Sequence, residues 1–324
     1  MHTRKRLARY FLLLACAGVL GGCGGEAPYP NREIEFIIPF PPGGPTDTAV
    51  RIVQPQMSKL LGVPITLLNR PGAGGALGAD YVAKSSPDGY RVFASSNNSL
   101  TILPFIQKDL TYQAHDFAPI GSFAADLSVI AIQAKKPWRT LDELVEYAKK
   151  NPGKLTYGSA GVGTVSFFTI ELLKLSLGLD IAHVPFSGTG PAKTALLGGN
   201  VDLGSGGFGS FGPLIQSGDL VPLVTTAAQR VPDYPDIPTM AEKGFRDASL
   251  NIWIGLFVPA ATPREVVDRL AAALEETMGD AAVRKALNDA GMFVDYRNPE
   301  ATRELLRTES ESIRKAVRKL GIGN

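Results

Sequence analysis

The sequence predicts an α/β protein of two domains, on three observations. Short β-rich apolar runs alternate with helical runs along most of the chain, the pattern of right-handed βαβ units and parallel sheets. The turns between them are rich in glycine and proline, and the same strand–turn–helix device recurs in both halves. Of the 324 residues, roughly 300 remain once the N-terminal segment is set aside, enough for two separate cores.

The N-terminal segment is set aside for a specific reason. MHTRKRLARY carries four Arg or Lys residues and no acid, and the apolar run from Tyr10 to Leu20 is too short to span a bilayer. Leu20-Gly21-Gly22-Cys23 follows it. This resembles an export signal of the bacterial lipoprotein type, with residues 1–22 as signal peptide, Cys23 as the lipidated first residue of the mature chain, and 23–32 as a tether. It implies a periplasmic protein, lipid-anchored to a membrane. Of the two cysteines, Cys16 lies in the discarded run, so the mature chain is expected to hold no disulfide, thiolate nucleophile or cysteine metal site.

The elements then follow in order. EIEFIIPF (33–40) reads as a strand, PPGGPTD as a turn, and TAVRIVQPQMSKLLG (48–62) as a helix with Ala49, Ile52, Val53, Met57, Leu60 and Leu61 at helical spacing, kinked at Pro55. PITLLN (64–69) is a strand, RPGAGG a turn and ALGADYVAKS (76–85) a helix; YRVFASS (90–96) is a strand closed by the polar turn NNSL. In the second half LTYGS, AGVGT and VSFFTIELLKLSLG (155–178) repeat the unit, as do IAHVPF, SGTGP and AKTALLGG (181–199), and VDLGSGG with FGSFGPLIQSG (201–218). Three amphipathic helices finish the chain, with Val266, Leu270 and Leu274, and then Leu305, Ile313 and Val317, on their apolar faces.

Glycine turns that lead from strand to helix expose first-turn N–H groups lacking partners, and the helix dipole adds positive potential. PFPPGGPTD (39–47) therefore reads as an anion cradle made of backbone. A dinucleotide does not fit: GAGGALG (72–78) has the spacing G-x-G-G-x-x-G, and the next strand ends in Ser95, Ser96 and Asn97 where a ribose-binding acid would be needed. No P-loop spacing occurs. The net charge of +2 argues against nucleic acid as a partner. Catalysis has little support: G-S-A-G around Ser159 is not a nucleophile elbow, and His115 and His183 show no relay, His115 reading as a surface residue and His183 as a strand residue satisfied by neighbours. No metal-ligand spacing and no cofactor motif are present, so no metal and no cofactor are expected.

A series of motifs carries a resemblance over nearly the whole mature chain: P-F-P-P-G-G-P-T-D-T-A-V-R (39–51), N-R-P-G-A-G-G-A-L-G (69–78), S-S-P-D-G-Y (85–90), D-F-A-P-I (116–120), Y-G-S-A-G-V-G-T (157–164), H-V-P-F-S-G (183–188) and P-D-I-P-T-M-A-E-K-G (235–244). The chain resembles the substrate-binding proteins of tripartite tricarboxylate transporters, the Bug or TctC family. The resemblance implies a type II-like periplasmic binding protein fold, two α/β domains around a ligand cleft. It implies a monomer that closes on a small carboxylate and delivers it to integral membrane transporter subunits. The alternative is a sensor presenting a bound carboxylate to a signalling partner. Domain 1 would comprise 33–124 and 251–324, and domain 2 residues 125–250, with the C-terminal helices packed back on domain 1.

Carried over onto this sequence, the resemblance places one cradle at Phe40, Pro41, Gly43 and Gly44, with Asp47 holding the turn or capping the helix. Ser95, Ser96 and Asn97 would add polar groups from the same domain. Ser159, Gly161, Gly163 and Thr164, then Pro185, Phe186 and Ser187, would form the opposite side. Arg70 is read as positioning its turn. Members of the family commonly carry a His shortly after the position of Thr164, and here Phe167 stands in that place. The turns around the expected cleft contain no acid other than Asp47, while Phe40, Phe167, Phe168, Phe186, Phe208 and Phe211 lie close to them. The resulting expectation is a ligand without an amine and with an aromatic or apolar body.

Overall fold

The strand IEFII forms β1 (Ile34–Ile38), buried on both faces as a strand between two parallel neighbours must be. The structure, a computed structural model, describes residues 28–186, 188–245 and 249–323. The leader, with Cys16 and Cys23, lies outside the described residues, as does Ser187. Residues 32 onward form one compact unit.

Helix α1 (Pro45–Leu61) starts three residues before the expected run, because Pro45 suits a first-turn position with no N–H to satisfy. It buries Ala49, Val50, Val53, Met57 and Leu61, continues through Pro55, and ends on Gly62 in the left-handed conformation. β2 (Ile65–Asn69), α2 (Ala76–Ala83) and β3 (Arg91–Ser96) complete the first βαβαβ run. The stretch NNSL, expected as a plain turn, is helical: Thr101 N–H donates to the Asn97 carbonyl at 2.8 Å, and the segment runs into the short α3 (Leu103–Ile106).

β4 (Phe117–Asp126) leads through Leu127 into β5 (Ser128–Gln133), which belongs to a second sheet. There α4 (Leu141–Lys150), β6 (Leu155–Ser159), α5 (Val165–Leu177), β7 (Ile181–Pro185), α6 (Thr189–Leu197), β8 (Leu203–Gly207), α7 (Phe208–Gln216) and β9 (Leu220–Thr225) follow. The chain re-enters the first sheet at β10 (Ile252–Pro259) and ends with α8 (Arg264–Gly279), α9 (Ala281–Asp289), β11 (Phe293–Arg297) and α10 (Pro299–Leu320).

The first sheet has the order β11-β4-β10-β3-β1-β2 and the second β7-β6-β8-β5-β9. Both are mixed. β2-β1-β3 and β7-β6-β8 are parallel, as the alternating pattern predicts. The strands that carry the chain between sheets run the other way: β10 is antiparallel to β3 and β4, and β5 to β8 and β9. A strand entering from the other sheet has no crossover helix to set it parallel to its neighbour.

The two crossing segments are tied together. Thr226 N–H and Thr225 Oγ1 both donate to the Ser128 carbonyl at 2.9 Å, and Asn97 Nδ2 donates to the Asn251 carbonyl at 2.9 Å. Helix α10 does more than pack back on the first sheet. Its Leu306 joins the cluster of Phe93, Phe117, Trp253 and Phe257, whereas Ile313, Ala316 and Val317 join the cluster of Tyr157, Phe167 and Phe168 in the second. Its 22 residues span about 33 Å, long enough to reach both.

Candidate ligand-binding cleft

A cavity of about 670 Å³ lies where the two sheets face each other, and its walls are mostly the turns that open helices. From the first sheet come the turn Phe40–Thr46 before α1, Gly74, Ser96 and Asn98. The second contributes Ala160 and Thr164–Ser166 at the start of α5, Gly188 and Thr189 at α6, and Gly206, Gly207 and Ser210 at α7. Asp126, Ser128 and Ile252 come from the crossing strands. Four helix N-termini thus share one cavity, and no Lys, Arg or His is among the described residues that line it. First-turn N–H groups and aligned dipoles make such a space favourable to an anion without a cationic side chain.

The turns are held from behind. Gly43 is left-handed at φ +83°, and its N–H donates to Asp47 Oδ2 at 2.9 Å. Asp47 also accepts from Arg51 Nε at 2.8 Å and Asn69 Nδ2 at 2.9 Å, and Asn69 Nδ2 lies 3.0 Å from the Phe40 carbonyl. Burial opposes ionisation of Asp47, but the Arg51, Gly43 and Asn69 hydrogen bonds outweigh it and bring the carboxyl down to about 2. In the second sheet Thr164 caps α5, accepting from Phe167 N–H at 3.4 Å and donating to the Gly161 carbonyl at 2.7 Å. Gly163, at φ +82°, brings its backbone so near Ile106 of α3 that a Cβ there would lie 2.0 Å from Ile106 Cδ1.

Of the residues singled out from the sequence, Phe40, Pro41, Gly43, Gly44, Ser96 and Thr164 line the cavity. Asp47 stands behind its turn. Ser95 is fully buried and donates to the Ser96 carbonyl at 3.0 Å. Asn97 is also fully buried, and its Nδ2 donates to Glu309 Oε1 at 2.7 Å in addition to Asn251. Glu309, pushed up by burial, further accepts from Trp253 Nε1 at 2.8 Å and from Thr101. Arg70 stacks over Tyr81 with its guanidinium carbon 3.8 Å from the ring centroid. Gly161 and Gly163 shape the α5 turn from beneath, Pro185 ends β7 exposed, and Phe186 is half-buried against Gly158.

Two expectations need correction. First, Ser159 and His183 do pair: Oγ and Nε2 are 2.7 Å apart. In the parallel register of β6 and β7, Tyr157 faces His183 and Ser159 faces Pro185, so Ser159 and His183 are diagonal neighbours on one face. The His183 ring stacks on Tyr157 and meets Phe167, and burial holds its pKa below the ordinary value. Ser159 is fully buried, beyond the reach of a substrate carbonyl.

Second, the aromatic wall is absent and the acid is present. Phe167, Phe168, Phe208 and Phe211 are at most 5 % exposed and belong to apolar cores, leaving Phe40 on the cavity wall. Asp126, at the end of β4, brings a carboxyl into the cleft. Burial pushes it up to about 7, with the N–H groups of Gly209 and Phe208 pulling the other way. The signal was a lone acid inside the apolar run FAADLSVIAI, a position where a strand residue must be buried.

The chain matches the family model of the tripartite tricarboxylate transporter family receptor, TctC, over residues 49–322. It is 30 % identical to protein BugT of Bordetella pertussis over 326 residues, covering 99 % of each chain. Among solved structures it is similar to MatC from Rhodopseudomonas palustris with bound malate, at 32 % identity and TM-score 0.76, covering 89 % of this chain and 100 % of that one. It is also similar to an R. palustris protein with adipate, at 27 % identity and TM-score 0.80, covering 91 % and 99 %.

Proposed function

The chain belongs to the tripartite tricarboxylate transporter receptor family, and from that premise we propose that its cleft captures a small carboxylate at the first turns of α1, α5, α6 and α7 and delivers it to the membrane subunits of such a transporter. The observation that carries this reading is the meeting of four helix N-termini on a cavity lined by no described cationic side chain. A carboxylate there replaces its water shell with fixed N–H donors. The malate and adipate held by the similar proteins are small carboxylates, which supports the ligand class.

The family is periplasmic, and among the described residues no helix is long and apolar enough to cross a membrane. Export through the 1–22 leader and lipidation at Cys23 hold this member at a membrane surface. The protein acts as a monomer, with one lobe of 33–124 and 251–324 and the other of 125–250, and binds without chemistry, a reading supported by the full burial of Ser159, the hydroxyl paired with His183.

Thermal melting of the purified protein with a panel of mono- and dicarboxylic acids, set against sugars and amines of similar size, tests the reading. A bound acid raises Tm by mass action. A shift from a sugar or an amine, with none from any acid, would overturn it.

A further inference from the structure

The carboxyl of Asp126 is the feature of the cleft that an anion-binding account leaves unexplained. It is 5 % exposed, at the point where the chain passes from one sheet to the other, and it lines the cavity. It rests directly over Gly207, where a Cβ would fall 1.9 Å from Asp126 Oδ2, so the backbone before α7 is kept bare to admit it. The Gly209 and Phe208 N–H groups address the carboxyl, yet Oδ1 has no hydrogen-bond partner among the described residues. A buried carboxyl oxygen without a hydrogen-bond partner is costly whether the group is ionised or protonated.

A second group on the wall is in the same position. Asn98 uses its amide Nδ2 to donate to the Gly74 carbonyl at 3.1 Å, and its Oδ1 is buried without a partner. The helix ends offer donors for a carboxylate, while Asp126 and Asn98, both on the cavity wall, each hold a buried acceptor oxygen that has no partner among the described residues.

We propose that Asp126 is a specificity-determining residue that contacts the ligand, its free Oδ1 accepting a hydrogen bond from a hydroxyl or ammonium group on the carboxylate held at the helix N-termini. This rests on the carboxylate-binding reading of the cleft and narrows it to acids that also carry a donor.

Calorimetry with matched acids tests it: succinate, malate and aspartate, then glutarate, 2-hydroxyglutarate and glutamate, which differ by no donor, a hydroxyl and an ammonium. For at least one skeleton the wild-type protein binds a donor-bearing acid about tenfold or more tighter than the bare diacid, the usual scale of one hydrogen bond to a charged group. In Asp126→Ala that ratio falls toward one, whatever the change in affinity for the bare diacid. Asp126→Asn, which keeps the side chain's shape and an acceptor oxygen, retains most of the preference if the donor is a hydroxyl and loses it if the donor is an ammonium. Circular dichroism confirms that both variants fold.

A wild-type ratio near one, or an unchanged ratio in Asp126→Ala, overturns the assignment. So does failure of all six acids. In that case binding of adipate or benzoate leaves the carboxylate reading standing, and binding of neither removes that reading as well.

Discussion

Ser159 Oγ lies 2.7 Å from Nε2 of His183, joining the end of β6 to the middle of β7 directly beneath the turn that opens α5. Gly161 N–H also donates to Ser159 Oγ at 3.2 Å, so the pair fixes that turn from behind. Ser159→Ala removes these contacts, together with the one from Ser159 Oγ to the Gly161 carbonyl at 3.3 Å, and is expected to cost about 1–2 kcal/mol of stability, read from urea unfolding. Binding weakens only modestly, since the hydroxyl is buried. Abolished binding at unchanged stability would mean that Ser159 touches the ligand.

Asp126 gives a pH signature. Its carboxyl has a folded-state pKa of about 7, above the ordinary 3.8 it regains on unfolding, so the unfolded chain releases its proton first. Stability from this group is present below about pH 4 and is lost as pH rises toward 7. The full penalty is on the order of 4 kcal/mol as an upper bound. Asp126→Asn has no such proton to lose, so its stability relative to wild type is expected to improve between pH 4 and 7. A constant difference across that range would show that Asp126 titrates normally.

Asp47 behaves in the opposite sense. Held near 2 against an ordinary 3.8, it contributes stability that is present above about pH 4 and is lost as pH falls toward 2. The acid limb of the unfolding profile should therefore be shallower in Asp47→Asn than in wild type. Identical limbs would show that the Arg51 and Gly43 contacts do not form in solution.

Glu309 anchors the crossing segments from α10, taking hydrogen bonds from Asn97, Thr101 and Trp253 in a buried site. Glu309→Ala strands those donors and is expected to destabilise by about 2–4 kcal/mol, with Glu309→Gln milder. Denaturant midpoints measure both. Equal and negligible losses would leave this cluster without a structural role.

Much of this was legible in the sequence, and the rest fails for identifiable reasons. The alternation of runs gives most strands and helices, and the turns at Phe40–Gly44 and Thr164 announce themselves by composition. Side-chain direction does not follow from proximity: Phe167 and Phe168 are the third and fourth residues of α5, which carries apolar residues on more than one face, so the sequence cannot say which ring points to the core. The Ser159–His183 pair depends on the register of two strands 24 residues apart. Asp126 was missed because it reaches the cleft from a crossing strand, while attention to glycine turns finds only the helix ends.

Membrane attachment is testable separately. Cys23→Ala is expected to move the protein from the membrane to the soluble periplasmic fraction, or to leave it unprocessed, with ligand affinity unchanged. Wild-type protein recovered wholly soluble and without lipid would remove the anchor from the account.

The central claim is that helix ends, with no cationic clamp, hold the carboxylate, and a crystal structure of the protein with the tightest acid from the panel tests it most directly. The account predicts carboxylate oxygens within about 3 Å of backbone N–H groups in the first turns of α1, α5, α6 or α7, with no Lys or Arg in contact. A carboxylate paired with an Arg or Lys side chain, or bound outside the cavity between the two sheets, would contradict it.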